Sequence, residues 1–159
     1  GDPARMDMPL HPGHRALRKG RAGLRGQLYH VTAVTHDRRP AFQGFEAATA
    51  ACRAIHAHTR AGDLQALCWV LMPDHLHLLA RLECNDLSVA VGYLKARVAH
   101  EVNEACGSAP PLWGRGFHDH ALRGDENTLA VARYIVANPL RAGLVGSVRF
   151  YPYWYAAWL

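Results

Sequence analysis

No Cys-x-x-Cys pair occurs in this chain. Its four cysteines, Cys52, Cys68, Cys84 and Cys106, stand far apart, which argues against a thiolate metal cage or disulfide framework and for ordinary thiols in a reducing compartment. No apolar run is long enough to span a bilayer and no lipidation signal is present, so a membrane role is disfavoured. A secretory leader is also missing, because the first residues are basic and rich in Gly and Pro instead of apolar. Acidic side chains are the scarcer charge, 13 against 18 Lys plus Arg, for a formal net charge of +5. That excess suits an anionic partner, nucleic acid before membrane. Half of the 159 residues are hydrophobic, enough for one domain to bury a core without disulfides.

Residues 1–26 read as a basic N-terminal arm containing Arg15, Arg18, Lys19, Arg21 and Arg25, with too few apolar residues to bury. The β-rich run Leu28 to His36 predicts a strand closed by Asp37-Arg38-Arg39-Pro40, and the Ala-rich stretch Phe45 to Arg60 a helix. Leu64 to Met72 and His75 to Leu82 are apolar runs joined at Pro73-Asp74, the pattern of a tight hairpin of buried strands. Leu87, Val91, Leu94, Val98 and Val102 recur at helical spacing from Asp86 to about Ala105, with Asn85 or Asp86 as cap. A fourth strand is expected over roughly Gly116 to Arg123. A last helix runs from near Asp125 to Asn138, where Pro139 stops or kinks it.

Strand, helix, strand, strand, helix, strand is the order of an α+β, ferredoxin-like βαββαβ fold. It implies an antiparallel sheet with helices on one face, plus an added C-terminal tyrosine-bearing helix, and it puts the third strand mid-sheet. The aromatic tail, 147–159, reads as a strap packed on sheet or helices.

The third strand carries the most informative pair. Strand side chains alternate faces, so His75 and His77 point one way while Leu76 and Leu78 point the other. Two imidazoles buried side by side need a partner, and a divalent metal is the simplest one. Taken alone, His-x-His on a strand is more often structural than catalytic. The last helix supplies Tyr134 and Asn138, four residues apart within an apolar stretch. If that face lies on the sheet, the Asn138 carbonyl oxygen completes a metal site and the Tyr134 phenol faces it, although a residue before proline is biased out of helical geometry. A phenolate beside a metal can attack a phosphodiester in line and become joined to DNA. His118-Asp119-His120 on the fourth strand is a competing metal pair, ranked lower because Arg115, Arg123 and polar residues around it suit substrate contact better. Asp74, read by alternation, falls on the opposite strand face from His75.

With these residues assembled, the chain resembles the REP-associated tyrosine transposases, a branch of the HUH single-strand nucleases. The blocks that carry the resemblance include Leu17-Arg18-Lys19-Gly20-Arg21, Tyr29-His30-Val31-Thr32, Trp69 through Leu79, Phe117 through Arg123, Ala132 through Val145 and Tyr151-Pro152-Tyr153-Trp154. The resemblance implies a catalytic domain over residues 27–146, His75, His77 and Asn138 as metal ligands, and Tyr134 as nucleophile. It implies Mg2+ or Mn2+, although two imidazoles and an amide oxygen suit manganese or zinc at least as well as magnesium. As substrate it implies single-stranded DNA flanking a REP-type hairpin, in a bacterial cytoplasm. Arg18, Lys19, Arg21, Lys95, Arg97, Arg115, His118, His120 and Arg123 are the expected nucleic-acid contacts. The short link between the fourth strand and the last helix favours action within one chain, so a monomer is expected before a homodimer. A competing reading is a non-catalytic module that holds structured DNA or RNA hairpins. Small-molecule hydrolysis would leave the arm and Tyr134 unexplained.

Overall fold

The computed structural model describes residues 23–107 and 111–158. The arm expected over 1–26 lies almost wholly outside the described residues, and with it Arg18, Lys19 and Arg21.

The strands are β1 (Leu28–Val34), β2 (Leu64–Met72), β3 (His75–Leu82), β4 (His118–Ala121) and β5 (Trp154–Ala156). They form one sheet in the order β4-β1-β3-β2-β5, with every neighbouring pair antiparallel. The first four reproduce the ferredoxin-like order, and β3 is central as its topology requires. The aromatic tail adds β5 along the edge of β2, so part of the expected strap is itself a strand.

Helix α1 (Phe45–Thr59) lies against α2 (Leu87–Cys106) on one face of the sheet. Small Ala47, Ala48, Ala51 and Ala54 let α1 approach closely, while Leu87, Val91, Leu94, Val98 and Val102 supply the buried stripe of α2. Asp86 caps α2 by accepting from the Val89 N–H, and Gly107 ends it at φ 67°, a left-handed position suited to glycine. Helix α3 (Thr128–Val136), capped by Asn127, covers the opposite face. The expected continuation to Asn138 is cut short: Ala137 leaves helical geometry, and a separate turn α4 (Asn138–Arg141) begins with Pro139 in its first turn, where a missing N–H costs nothing.

The two faces change hands within β2. Ala66 pairs with Ala80 but Cys68 with Leu79, the mark of a bulge. Beyond it, Cys68, Val70 and Met72 sit opposite Leu79, His77 and His75, while Trp69 and Leu71 turn to the α1/α2 side. No helix of the described residues is long and apolar enough to cross a membrane, and all four cysteines are free thiols. Burial pushes the Cys68 thiol up to about 12, which suits a packing role.

Candidate metal centre and active site

His75 and His77 lie on one face of β3, fully buried, with ring centroids 4.8 Å apart and nearly perpendicular. The nearest partners on β1 are Thr32, opposite His77, and Val34, opposite His75. The alternation read from sequence therefore holds, and the neighbours on both sides explain how each ring is fixed. Thr32 Oγ1 lies 3.1 Å and His30 Nε2 3.0 Å from His77 Nδ1, both buried. That engagement leaves Nε2 as the nitrogen to face a ligand. On His75, Nδ1 lies 2.7 Å from the Asp74 carboxylate, and Nε2 is buried with no hydrogen-bond partner.

Asp74 corrects the sequence reading. It belongs to the two-residue turn between β2 and β3, where strand alternation does not apply, and its buried carboxylate reaches back to His75. Its other oxygen, Oδ2, accepts from Arg38 Nε and lies 3.0 Å from Arg38 Nη2. Burial alone would raise this carboxyl, but the hydrogen bond and charge of His75, together with Arg38, outweigh it and hold the group below the usual carboxylate range. The turn is anchored from outside: the Thr35 N–H donates to the Asp74 carbonyl at 3.0 Å and the Phe42 N–H to the Pro73 carbonyl at 3.0 Å. Asp37 and Arg38 both adopt left-handed φ, 54° and 52°, a conformation costing a non-glycine residue roughly 1–2 kcal/mol. Alternation along β1 was the signal available for Thr32 and His30, since both are polar residues on one face of an apolar strand. Nothing local marks the Arg38–Asp74 pair.

Asn138 is fully buried at the start of α4, in the layer that covers the histidine face. Its Nδ2 donates to the Ile135 carbonyl at 3.0 Å, and its Oδ1 is buried without a hydrogen-bond partner. No three His, Cys, Asp or Glu side chains come together in a group that could hold a metal ion among the described residues. A partnerless imidazole nitrogen, a second imidazole fixed by its Nδ1 contacts and an orphaned amide oxygen are each of a donor type that fits a divalent cation. Tyr134 sits on α3, 44% exposed, with the Arg141 guanidinium 3.7 Å from its ring centroid. Tyr134 and Asn138 therefore share neither a continuous helix nor a degree of burial.

The expected contact residues separate. His118 and His120 stand opposite Thr32 and His30, so they share the face of His75 and His77. His120 is buried, with Nε2 2.8 Å from Glu126 Oε1. Burial, partly offset by Asp119, lowers His118 below its ordinary value. Arg115 and Arg123 are exposed. Lys95 and Arg97 both belong to α2, on the other side of the sheet from the histidine pair. The Lys95 ammonium donates to the Gly114 and Gly116 carbonyls at 2.9 and 2.8 Å, and Arg97 acts electrostatically on His58 of α1. Lys95 thus fastens a loop. That loop walls a cleft of about 250 Å³ lined by Thr32, Thr35, Arg38, Arg115 and His118 among others.

Comparison with known proteins bears on the family and the fold. The family described as "Transposase IS200 like" matches residues 25–138. A Haemophilus influenzae protein assigned as a REP-associated tyrosine transposase is 28% identical over 146 residues, covering 81% of this chain and 79% of its own length. An Escherichia coli REP-associated tyrosine transposase is 30% identical over 87 residues, 54% of this chain and 50% of that protein. Among solved structures, a REP-associated tyrosine transposase bound to a REP hairpin superposes with a TM-score of 0.68 at 23% identity, over 87% of this chain and 82% of that one. The last likeness concerns the fold.

Proposed function

The chain belongs to the IS200-like transposases, in the REP-associated tyrosine branch, and from that premise we propose that it cuts and rejoins single-stranded DNA beside REP-type hairpins with Tyr134 as nucleophile. The observation that carries this reading is the buried imidazole pair of β3, each ring held through Nδ1 by neighbouring polar groups and presenting Nε2. His75, His77 and the Asn138 amide oxygen would hold the ion, manganese or magnesium. A divalent ion there supplies Lewis-acid polarisation of the scissile phosphate.

The remaining chemistry falls to side chains of this chain. The Tyr134 oxygen forms a bond to phosphorus as the bond from phosphorus to the 3′-oxygen breaks. The phenol gives up its proton, and the leaving 3′-oxygen takes one up to become a hydroxyl. The product is a 5′-phosphotyrosine that keeps the energy of the broken ester, so attack by a 3′-hydroxyl reverses the step and transfers the strand. Arg141, stacked on the Tyr134 ring, limits the orientations of the phenol. Tyr134 is 44% exposed, so a strand arriving from solvent can reach this residue.

A labelled REP-type hairpin with single-stranded flanks, incubated with Mn2+, should give a protein–DNA adduct that survives denaturant and vanishes in Tyr134→Phe. An adduct persisting in Tyr134→Phe assigns the nucleophile elsewhere. Tight hairpin binding with no adduct under any metal condition favours the non-catalytic binding module.

A further inference from the structure

The reaction proposed above leaves unused the cation that stands between the metal centre and the cleft. Arg38 is 19% exposed by side chain, and its Nε and Nη2 both lie 3.0 Å from one oxygen of Asp74, whose other oxygen is on His75 Nδ1. Arg38 also lines the cleft between β1 and the 114–117 loop, together with Arg115 and His118. Its backbone is left-handed, following another left-handed residue. Strain of this kind persists where surrounding contacts fix it, and here those contacts are made to the β2–β3 turn. The facing wall is fixed too: Lys95 clamps Gly114 and Gly116, and a side chain at Gly114 would meet the Val34 carbonyl at 3.3 Å.

We propose that Arg38 serves two sites at once, positioning His75 for the ion through Asp74 and receiving, along the cleft, a phosphate of a single DNA strand. Its second half rests on the DNA reading above. A guanidinium suits both tasks because its planar fork sets a carboxylate while still presenting charge along an adjacent surface, which an ammonium does less well. The carboxylate it holds in turn fixes the ring and tautomer of a metal-binding histidine, an arrangement whose loss commonly lowers metal affinity about 10–100-fold. Arg38 is thus a positioning residue toward the ion and a binding residue toward the strand.

The test uses the full chain carrying Tyr134→Phe, so that no cleavage occurs. Mn2+ affinity is measured by the electron paramagnetic resonance of the free ion without DNA, and binding of a fluorescent oligo(dT) is measured in EDTA across a salt series. Arg38→Gln should weaken Mn2+ at least about tenfold and weaken oligonucleotide binding, with a salt slope shallower by about 1. Arg38→Lys should keep most of the oligonucleotide affinity and still lose Mn2+ affinity, and it carries the test if Arg38→Gln does not fold. Arg115→Gln, across the cleft and away from the histidine pair, should weaken only the oligonucleotide. An Arg38→Gln protein that keeps either affinity at the parent value overturns the dual role while leaving the transposase reading intact. A parent that binds no oligo(dT) overturns the strand half of the proposal, and one that also fails to bind the REP-type hairpin overturns the DNA reading with it.

Discussion

The two faces of the sheet are built from the same strands and treat burial in opposite ways. The face under α1 and α2 is lined by Val31, Trp69, Leu71, Leu76, Leu78 and Leu82, among which the indole N–H of Trp69 is the single polar group. The face under α3 and α4 mixes Cys68, Val70, Met72 and Leu79 with His30, Thr32, His75 and His77, and α4 adds Asn138 above them. Burying those polar groups is unfavourable unless each finds a partner. Several do so through one atom while another, such as His75 Nε2 or Asn138 Oδ1, stays buried without a hydrogen-bond partner. One face therefore provides stability, and the other spends part of it on a preorganised set of donors.

The sharpest way to break this contrast is to make one truncation on each face. Leu78→Ala should lower unfolding free energy by about 2–5 kcal/mol, read by urea denaturation, with Mn2+ affinity unchanged in the folded protein. His77→Ala should abolish measurable Mn2+ binding and adduct formation in a chain that still folds. If Leu78→Ala costs the ion, or His77→Ala leaves it bound, the division of labour between the faces is wrong.

Asp74→Asn probes the support beneath the ligands and ranks next. Replacing the carboxylate by an amide should weaken Mn2+ about 10–100-fold, with adduct yield recovering as Mn2+ is raised. Lys95→Met tests whether this residue of the helix side holds the loop or meets phosphate. Leaving the Gly114 and Gly116 carbonyls without their charged donor should cost about 1–3 kcal/mol of stability. The salt dependence of oligonucleotide binding should stay as in the parent, whereas a shallower slope would return Lys95 to the phosphate contacts.

The smallest effect concerns His118. Its folded value lies below the ordinary 6.5 because burial disfavours the imidazolium. Below that pH the unfolded chain takes up a proton that the folded chain resists, so stability present above 6.5 is lost progressively as pH falls toward the folded value. In His118→Gln, melting temperature should depend less on pH over that window; an unaltered slope would show that His118 is not the group responsible.

Much of the frame was legible. The ends of β2 and β3 fall where the apolar runs break at Pro73-Asp74, and Asp86 caps α2 as a short acidic side chain before a periodic stretch should. The bulge in β2 was not legible, because an unbroken apolar run carries no phase from which a face could be read. Neither was β5, whose short Trp-Tyr-Ala segment becomes a strand only because the edge of β2 offers it partners. Of the candidate site, the imidazole pair was predictable. Its supports were less so, since Arg38 reaches Asp74 across 36 residues and Thr32 reaches His77 across 45.

The sequence by itself determined that His75 and His77 occupy one strand and one face, because a strand's twofold side-chain repeat is a property of the backbone and needs no neighbours. Tertiary structure alone decided which nitrogen of each ring is left for a ligand, that Asp74 serves His75 from a turn, and that Lys95 holds a loop. Those outcomes depend on strand register and on contacts between residues distant in the chain, and no local periodicity encodes either.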